Sequence, residues 1–299
     1  MKNILLARFL SFTLLSAPVA ATAQWYYNDS SPPGLYLIIA GWGLGNAFDV
    51  TVPPSDNGVP VIGIASYAFD YSPGGIKSIT IPGSITGIGA NAFVTWDSLS
   101  AIIVAGDNPA YSSLYGALFN KSLTTLLEFP AGKGGSYSVP ASVTSLAYGA
   151  FELCSRLTTV TIPGSVANIA DYAFWGCSSL QCLFFNGNAP SVGGAGVLDG
   201  ATNATVYYLP GTAGWGTTFA GRPTRLWNPL MQASSVGPAG FGFNITGTPD
   251  IPIVLEAATN LGSANWIPLQ SLNLPNGAFY FSDPNWTNYS ARFYRIRSP

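Results

Sequence analysis

The apolar residues of this chain come in brief runs broken by Gly or Pro, and two of those runs belong to a pattern that recurs. Residues 78–93 read SITIPGSITGIGANAF and residues 159–174 read TVTIPGSVANIADYAF, with half of the aligned positions identical. Each opens with apolar and hydroxylated residues in alternation, Ile79-Thr80-Ile81 and Val160-Thr161-Ile162, which predicts a short strand. Pro82 and Pro163 have no N–H for a ladder and end that strand. A Gly-Ser turn follows, then a second short apolar segment (Ile85 and Ile88; Val166 and Ile169), then an Ala-Phe pair whose ring is placed to plug the core. A small turn or single helical turn closes the unit at Leu99, Leu157 or Leu180.

The Phe recurs as Phe69, Phe93, Phe119, Phe151 and Phe174, at intervals of 24, 26, 32 and 23 residues, the size of a solenoid unit with one insertion. No unit can bury its apolar face alone, so the copies must stack into a continuous core. If Ile79, Ile81, Val160 and Ile162 point inward, their neighbours form an outward row: Ser78 and Thr80, Ala101 and Ile103, Thr159 and Thr161, Cys182 and Phe184. The 123–130 unit is one residue longer, so its register stays open and Glu128 is a further candidate for the row. Thr80, Ile103, Glu128, Thr159, Thr161 and Phe184 therefore make the candidate ligand-binding face, small, hydroxylated and mildly apolar. A merely solvated sheet face is the alternative.

The motifs ITIPGS…IG..AF at 79–93 and VTIPGS…IADYAFWGCSSL at 160–180 resemble the BspA-like leucine-rich repeat proteins of bacterial surfaces and some protists. The segment 108–151 is similar to the longer variant repeat of that family, and 50–69 to the way such arrays begin. Tyr115 departs from the variant repeat, standing where an acidic residue is more frequent. The resemblance covers roughly residues 50–190. It implies a right-handed leucine-rich-repeat solenoid with a short parallel sheet and little helix, export, and an adhesive or recognition role, and it brings no shared catalytic residues.

Around the expected repeats at 59–190, residues 24–58 read as an N-terminal β cap and 191–229 as a closing cap or linker. In the latter, Trp215 and Trp227 either seal the stack or offer stacking surfaces to a sugar. From residue 230 the chain changes to short β-prone segments separated by turns such as Thr248-Pro249-Asp250 and Pro275-Asn276-Gly277, a small antiparallel β-sandwich over 230–299. Arg292, Arg295 and Arg297 near its end predict either a charged edge strand or a contact with an anionic envelope.

Composition narrows the function classes. Only 8% of residues are charged, against 48% apolar, and there are 34 Gly, 23 Pro and no His. Without His there is no Ser-His-Asp or Cys-His nucleophile pair and no imidazole-ligated metal. Lys2 and Arg8, the apolar run Phe9 to Val19 and the small residues Ala21-Thr22-Ala23 predict a secretory segment over 1–23, removed on export, and no membrane span in the mature chain. Without Lys2 and Arg8 the balance is 9 basic against 13 acidic groups, which argues against a nucleic-acid partner.

No pair of carboxylates emerges from the register, as glycoside hydrolysis would need. No phosphate-binding loop or nucleophile elbow is present, and no catalytic, cofactor-binding or metal-ligating residue is assigned. Cys154 and Cys177 occupy one slot in consecutive repeats, with Trp96 in that slot earlier; they fill core or form a disulfide, while Cys182 stands on the outward row. The expected function is a secreted or cell-surface, non-enzymatic protein that recognises an extracellular protein or glycan through the sheet face. A structural envelope protein and a carbohydrate-active enzyme are the alternatives.

Overall fold

The alternating segments are strands: Ile76–Ile81, Ala101–Val104 and Leu157–Ile162. The computed structural model describes residues 10–11, 24–28, 35–38, 48–56, 58–68, 75–94, 96–194, 196–262 and 265–299. Nearly all of the expected export segment, much of the expected N-terminal cap, Phe69 and Asp70 lie outside the described residues. The chain is a β-solenoid of about six turns with almost no helix, followed by antiparallel sheets that fit a small β-sandwich. It divides into two units, Met1–Gln181 with Pro190–Ala204, and Cys182–Ala189 with Thr205–Pro299.

In the first unit each full turn contributes a longer strand, a two-residue strand and a tight turn. The longer strands Phe48–Thr51, Ile76–Ile81 and Ala101–Val104 pair in parallel, as do Gly135–Ser138 and Leu157–Ile162. The short strands Ser145–Leu146, Asn168–Ile169 and Ser191–Val192 form a second parallel ladder that starts from Thr125–Glu128. The inward positions Ile79, Ile81, Ile102, Val160 and Ile162 are all fully buried.

The third side is a column of turns, and here the repeat is most regular. In each turn the Phe carbonyl accepts from the residue three on: Phe93 from Trp96 (3.2 Å), Phe151 from Cys154 (3.2 Å) and Phe174 from Cys177 (3.3 Å). The same three residues then accept from Leu99, Leu157 and Leu180 at 3.0–3.1 Å. Successive turns are joined by rungs. Phe129 N–H donates to Ala150 O at 2.7 Å, Phe151 N–H to Ala173 O at 2.7 Å, and Phe174 N–H to Val197 O at 2.9 Å. The rings follow one another along the column, Phe129 tilted against Phe151 at 5.3 Å and Phe151 stacked on Phe174 at 4.8 Å. Phe119, counted in sequence as the repeat's Phe, is fully buried but sits on a hairpin strand, Ala117–Asn120; the column position next to Phe151 belongs to Phe129.

That hairpin is the insertion. Tyr111–Leu114 and Ala117–Asn120 pair antiparallel across Tyr115 (φ 52°) and Gly116 (φ 81°), a two-residue turn with both central residues left-handed, where Gly is the residue that bears φ > 0 without strain. Ala117–Asn120 then pairs with Thr125–Glu128, so the insertion feeds the short-strand ladder.

In the second unit Cys182–Phe185, Thr205–Tyr208 and Arg222–Leu226 are parallel strands. Two three-stranded antiparallel sheets follow, Leu230–Gly237/Gly240–Thr246/Ala278–Asp283 and Ile267–Asn273/Pro252–Ala258/Phe293–Arg297. Pro252–Ala258 is central and buried along its whole length, so Glu256 is carried into the interior at 3% exposure. It is held there by Arg295 (Nε–Oε2 2.8 Å) and Arg297 (Nε–Oε1 2.7 Å). Burial alone would raise the Glu256 pKa, but the hydrogen bonds from Arg297 and Arg295 hold it below the ordinary carboxylate range. Asp283 takes the Tyr294 hydroxyl at 2.9 Å and Arg292 Nε at 2.6 Å. Phe293–Arg297 is an edge strand whose two arginines, like Arg292 just before it, are engaged internally. Glu256→Gln is expected to destabilise the chain at pH 7 by about 2 kcal/mol, the scale of charge-assisted hydrogen bonds. Because the native pKa is lowered, the difference from wild type should shrink as pH falls through it, measured by urea unfolding at pH 7 and pH 3.

Candidate functional site

The alternation along the longer strands places one face of the solenoid in solvent. In register across three strands lie Asp49, Ser78 and Ala101, and beside them Thr51, Thr80 and Ile103. Ser78 Oγ donates to Asp49 Oδ1 at 2.6 Å. Thr80 is half-buried and Ile103 is 44% exposed. A second patch pairs Ser136 with Thr159 and Ser138 with Thr161. Thr161 is half-buried and Thr159 is buried, with Ser136 and Ser138 exposed.

The insertion separates these patches. Along Ala101–Val104, Ile102 N–H donates to Gly116 O at 2.8 Å and Val104 N–H to Ser113 Oγ at 2.9 Å, so the hairpin closes this strand edge. Gly116 approaches so closely that an added Cβ would lie 3.2 Å from Ser100 O. The turn presents Tyr115 at 71% exposure, and Lys133 Nζ donates to the Tyr115 carbonyl. Tyr115 and Lys133 thus stand where a continuous row was expected. Sequence reasoning marked Tyr115 only as a departure from a pattern; the Tyr-Gly turn between two strand-like segments was the signal that it occupies an exposed tip.

Besides the buried Thr159, which the expected solvated row had included, two candidates do not lie on the solvated face. Phe184 is 3% exposed, stacked on Tyr207 at 4.8 Å and edge-on to Trp227 at 6.1 Å, in one cluster with Phe243, Ile253 and Leu255 of the sandwich sheets. Within the second unit the C-terminal strands cover it, so it offers no open face. Trp227 belongs to the same packing and donates its Nε1–H to Pro252 O at 2.8 Å. Trp215 stacks on Tyr208 at 5.3 Å and contacts Phe185 and Phe219. Both tryptophans are thereby packed against their own chain.

Glu128 is the other. Its strand belongs to the short ladder, and Ser136 and Ser138 take the row positions that its register left open. Its side chain is buried and accepts the Phe93 N–H on Oε1 at 3.2 Å. This is the bond that a carbonyl of the next turn accepts from Phe129, Phe151 and Phe174. Burial pushes the Glu128 pKa up to about 8, and the nearby Glu152 carboxylate adds to the rise. Glu152 is itself raised by burial, against a 2.7 Å hydrogen bond from Asn91 Nδ2. The fold therefore brings two acids into electrostatic reach where the expected register held none.

Cys154 and Cys177 are buried thiols that donate to the carbonyls of Phe129 (3.6 Å) and Phe151 (3.0 Å). Burial raises both pKa values, that of Cys177 to about 12, which keeps them protonated and unreactive. They fill core. Among the described residues no group of three or more His, Cys, Asp or Glu side chains gathers as a metal site would require.

Residues 62–133 and 129–205 match the BspA type leucine rich repeat region, in six copies. No curated protein matches the chain. Among solved structures, a leucine-rich repeat protein from Eubacterium ventriosum is 22% identical with a TM-score of 0.41, the alignment covering 55% of this chain and 48% of that one. The chain thus spans about half the length of that protein. The pneumococcal vaccine antigen PcpA is 15% identical with a TM-score of 0.41, covering 62% and 80%. A leucine rich cell surface protein from Faecalibacterium prausnitzii is 15% identical with a TM-score of 0.35, covering 66% and 90%.

Two outcomes follow from these placements. Phe184→Ala should cost about 3–5 kcal/mol of stability in denaturant unfolding, as loss of a buried ring does; a neutral effect would return Phe184 to the open face. Glu128 has a native pKa above its unfolded value, so its favourable contribution is complete below pH 4.5 and declines as pH rises towards about 8. Wild type should lose stability relative to Glu128→Gln over that window, by about 1.4 kcal/mol per unit of pKa difference at most, in parallel unfolding curves at pH 5 and pH 8.5.

Proposed function

We propose that this chain, whose residues 62–205 are a BspA-type leucine-rich repeat region, is a non-enzymatic recognition protein that binds an extracellular protein or glycan through the outer face of its longer strands. The observation that carries this reading is the composition of two patches on that face: Ser78 and Thr80 in register with Ala101 and Ile103, and Ser136 and Ser138 in register with Thr159 and Thr161, with Ile103 and Tyr115 exposed. Hydroxyls offer hydrogen bonds at little desolvation cost, and the two large apolar groups supply buried area on contact. The charges beside these patches include Asp49, bonded to Ser78, Lys77, exposed next to Ser78 in the same strand, and Lys133, held by the Tyr115 carbonyl. Such a surface suits a neutral partner better than a strongly charged one.

A catalytic role is less well supported. Asp49 on this face is bonded to a serine hydroxyl, and glycosidases work with two opposed carboxyl groups. Export is supported by the basic, apolar and small-residue pattern of residues 1–23. Among the described residues no helix is long and apolar enough to cross a membrane. The arginines that suggested an envelope contact are turned onto Asp283 and Glu256, which weakens the purely structural reading.

The test is binding of the chain to glycan and matrix-protein arrays, with Thr80→Arg, Ile103→Arg and Thr161→Arg in parallel. Binding to at least one partner at micromolar concentration, weakened tenfold or more by Ile103→Arg, is the expected result. Binding untouched by all three substitutions would place recognition elsewhere. A blank array would favour the structural reading.

A further inference from the structure

The insertion leaves one place in the solenoid without a turn. Between the turn at residues 89–94 and the turn at 147–152 the column holds Glu128 and Phe129 in place of a tight turn, and a cavity of about 260 Å³ remains, lined by Asn91, Tyr111, Glu128, Ala147 and Tyr148 among others. Main-chain donors that a regular turn would satisfy are met by side chains. Phe93 N–H bonds Glu128, and Ile88 N–H bonds the Tyr111 hydroxyl at 2.9 Å. Asn91, itself buried, spans the gap to Glu152 and reaches the Tyr67 hydroxyl at 3.4 Å.

We propose that this gap is a binding site for a single ring of a neutral sugar, separate from the sheet face. The free functionality in the gap selects that class. A strand from a partner would need unpaired main-chain donors, and the two facing the gap are already engaged. No Lys or Arg lines the cavity, which leaves an anion without a counter-charge. The groups left over are Glu128 Oε2 and Asn91 Oδ1, to which no described residue donates. A carboxyl kept protonated by burial gives one O–H donor and keeps acceptor capacity, the combination that meets a hydroxyl as donor and as acceptor. A protonated acid also gives a metal cation little to bind. Tyr148, 43% exposed, stands on the rim with Tyr172 edge-on to it at 5.4 Å, an aromatic surface for the C–H face of a ring. The volume is at the small end for ligand sites, room for one ring and not for an oligosaccharide.

The experiment is saturation-transfer NMR on the full chain with glucose, galactose, mannose and N-acetylglucosamine, with circular dichroism to confirm folding at each pH. Wild type should bind at least one of them at pH 7. Ala147→Trp, which fills the half-buried wall, should weaken binding tenfold or more. Glu128→Gln, its Oε1 still accepting the Phe93 N–H, keeps a donor toward the gap as an NH2 and should retain binding, weakened less than about threefold. Wild-type affinity should fall between pH 7 and pH 9 as Glu128 loses its proton, while that of Glu128→Gln stays level. Thr161→Arg should leave the sugar signal unchanged, so this proposal and the sheet-face reading can fail separately. No sugar binding, full binding by Ala147→Trp, a signal lost with Thr161→Arg, or calorimetric uptake of calcium in place of sugar would each overturn it. If Ala147→Trp fails to fold, the pH comparison of wild type with Glu128→Gln decides alone: a fall specific to wild type supports the site, and parallel curves refute it.

Discussion

A solenoid of such short turns has few hydrogen bonds per repeat, and each turn depends on the one beside it for partners. The rung from a Phe N–H to a carbonyl of the adjacent turn carries much of this dependence, because the donor sits beside a fully buried ring where water cannot replace the bond. Phe129, Phe151 and Phe174 satisfy the requirement with main-chain acceptors. The stacked rings and the slot held by Trp96, Cys154 and Cys177 follow from the same register, since a rung that keeps turns in step also keeps their side chains in columns.

An insertion in such a stack has to supply what it displaces. The hairpin Tyr111–Asn120 and the strand after it do so largely with side chains: the Glu128 carboxyl for a turn carbonyl, the Tyr111 hydroxyl for a short-strand partner, and Ser113 Oγ with the main-chain Gly116 O for the edge of Ala101–Val104. The substitutes are polar and less compact than a turn, so they leave a cavity and a carboxyl whose charged form is disfavoured. The same hairpin projects Tyr115 and divides the solvated face. One local event thus shapes both the proposed recognition surface and the proposed sugar site.

In the second unit the parallel strands carry the aromatic side chains of Phe184 and Tyr207. The two stand in register with each other, and together with Trp227 they form an apolar surface that the sandwich strands bury. Burial of this surface and the clasp of Glu256 by two arginines hold the second unit by unlike means, apolar area in one place and charge-assisted hydrogen bonds in the other.

The repeat was legible because its signals are local: β-branched alternation makes strands, Pro ends them, and an Ala-Phe pair at near-constant spacing marks the turn. Inward Ile79, Ile102 and Val160 follow from that pattern alone. The antiparallel C-terminal segments were legible from their turn residues in the same way. The register through the insertion was not. Thr125–Glu128 has the apolar look of a long strand yet belongs to the short ladder, while Gly135–Ser138 looks like a loop and becomes a strand because Leu157–Ile162 offers it a partner. What covers Phe184 depends on strands more than fifty residues away in the chain. Sequence determined which way each strand side chain points, because the pleat is a property of the backbone; only the tertiary structure decided which pointing side chains meet water, because burial is a property of what stacks against them.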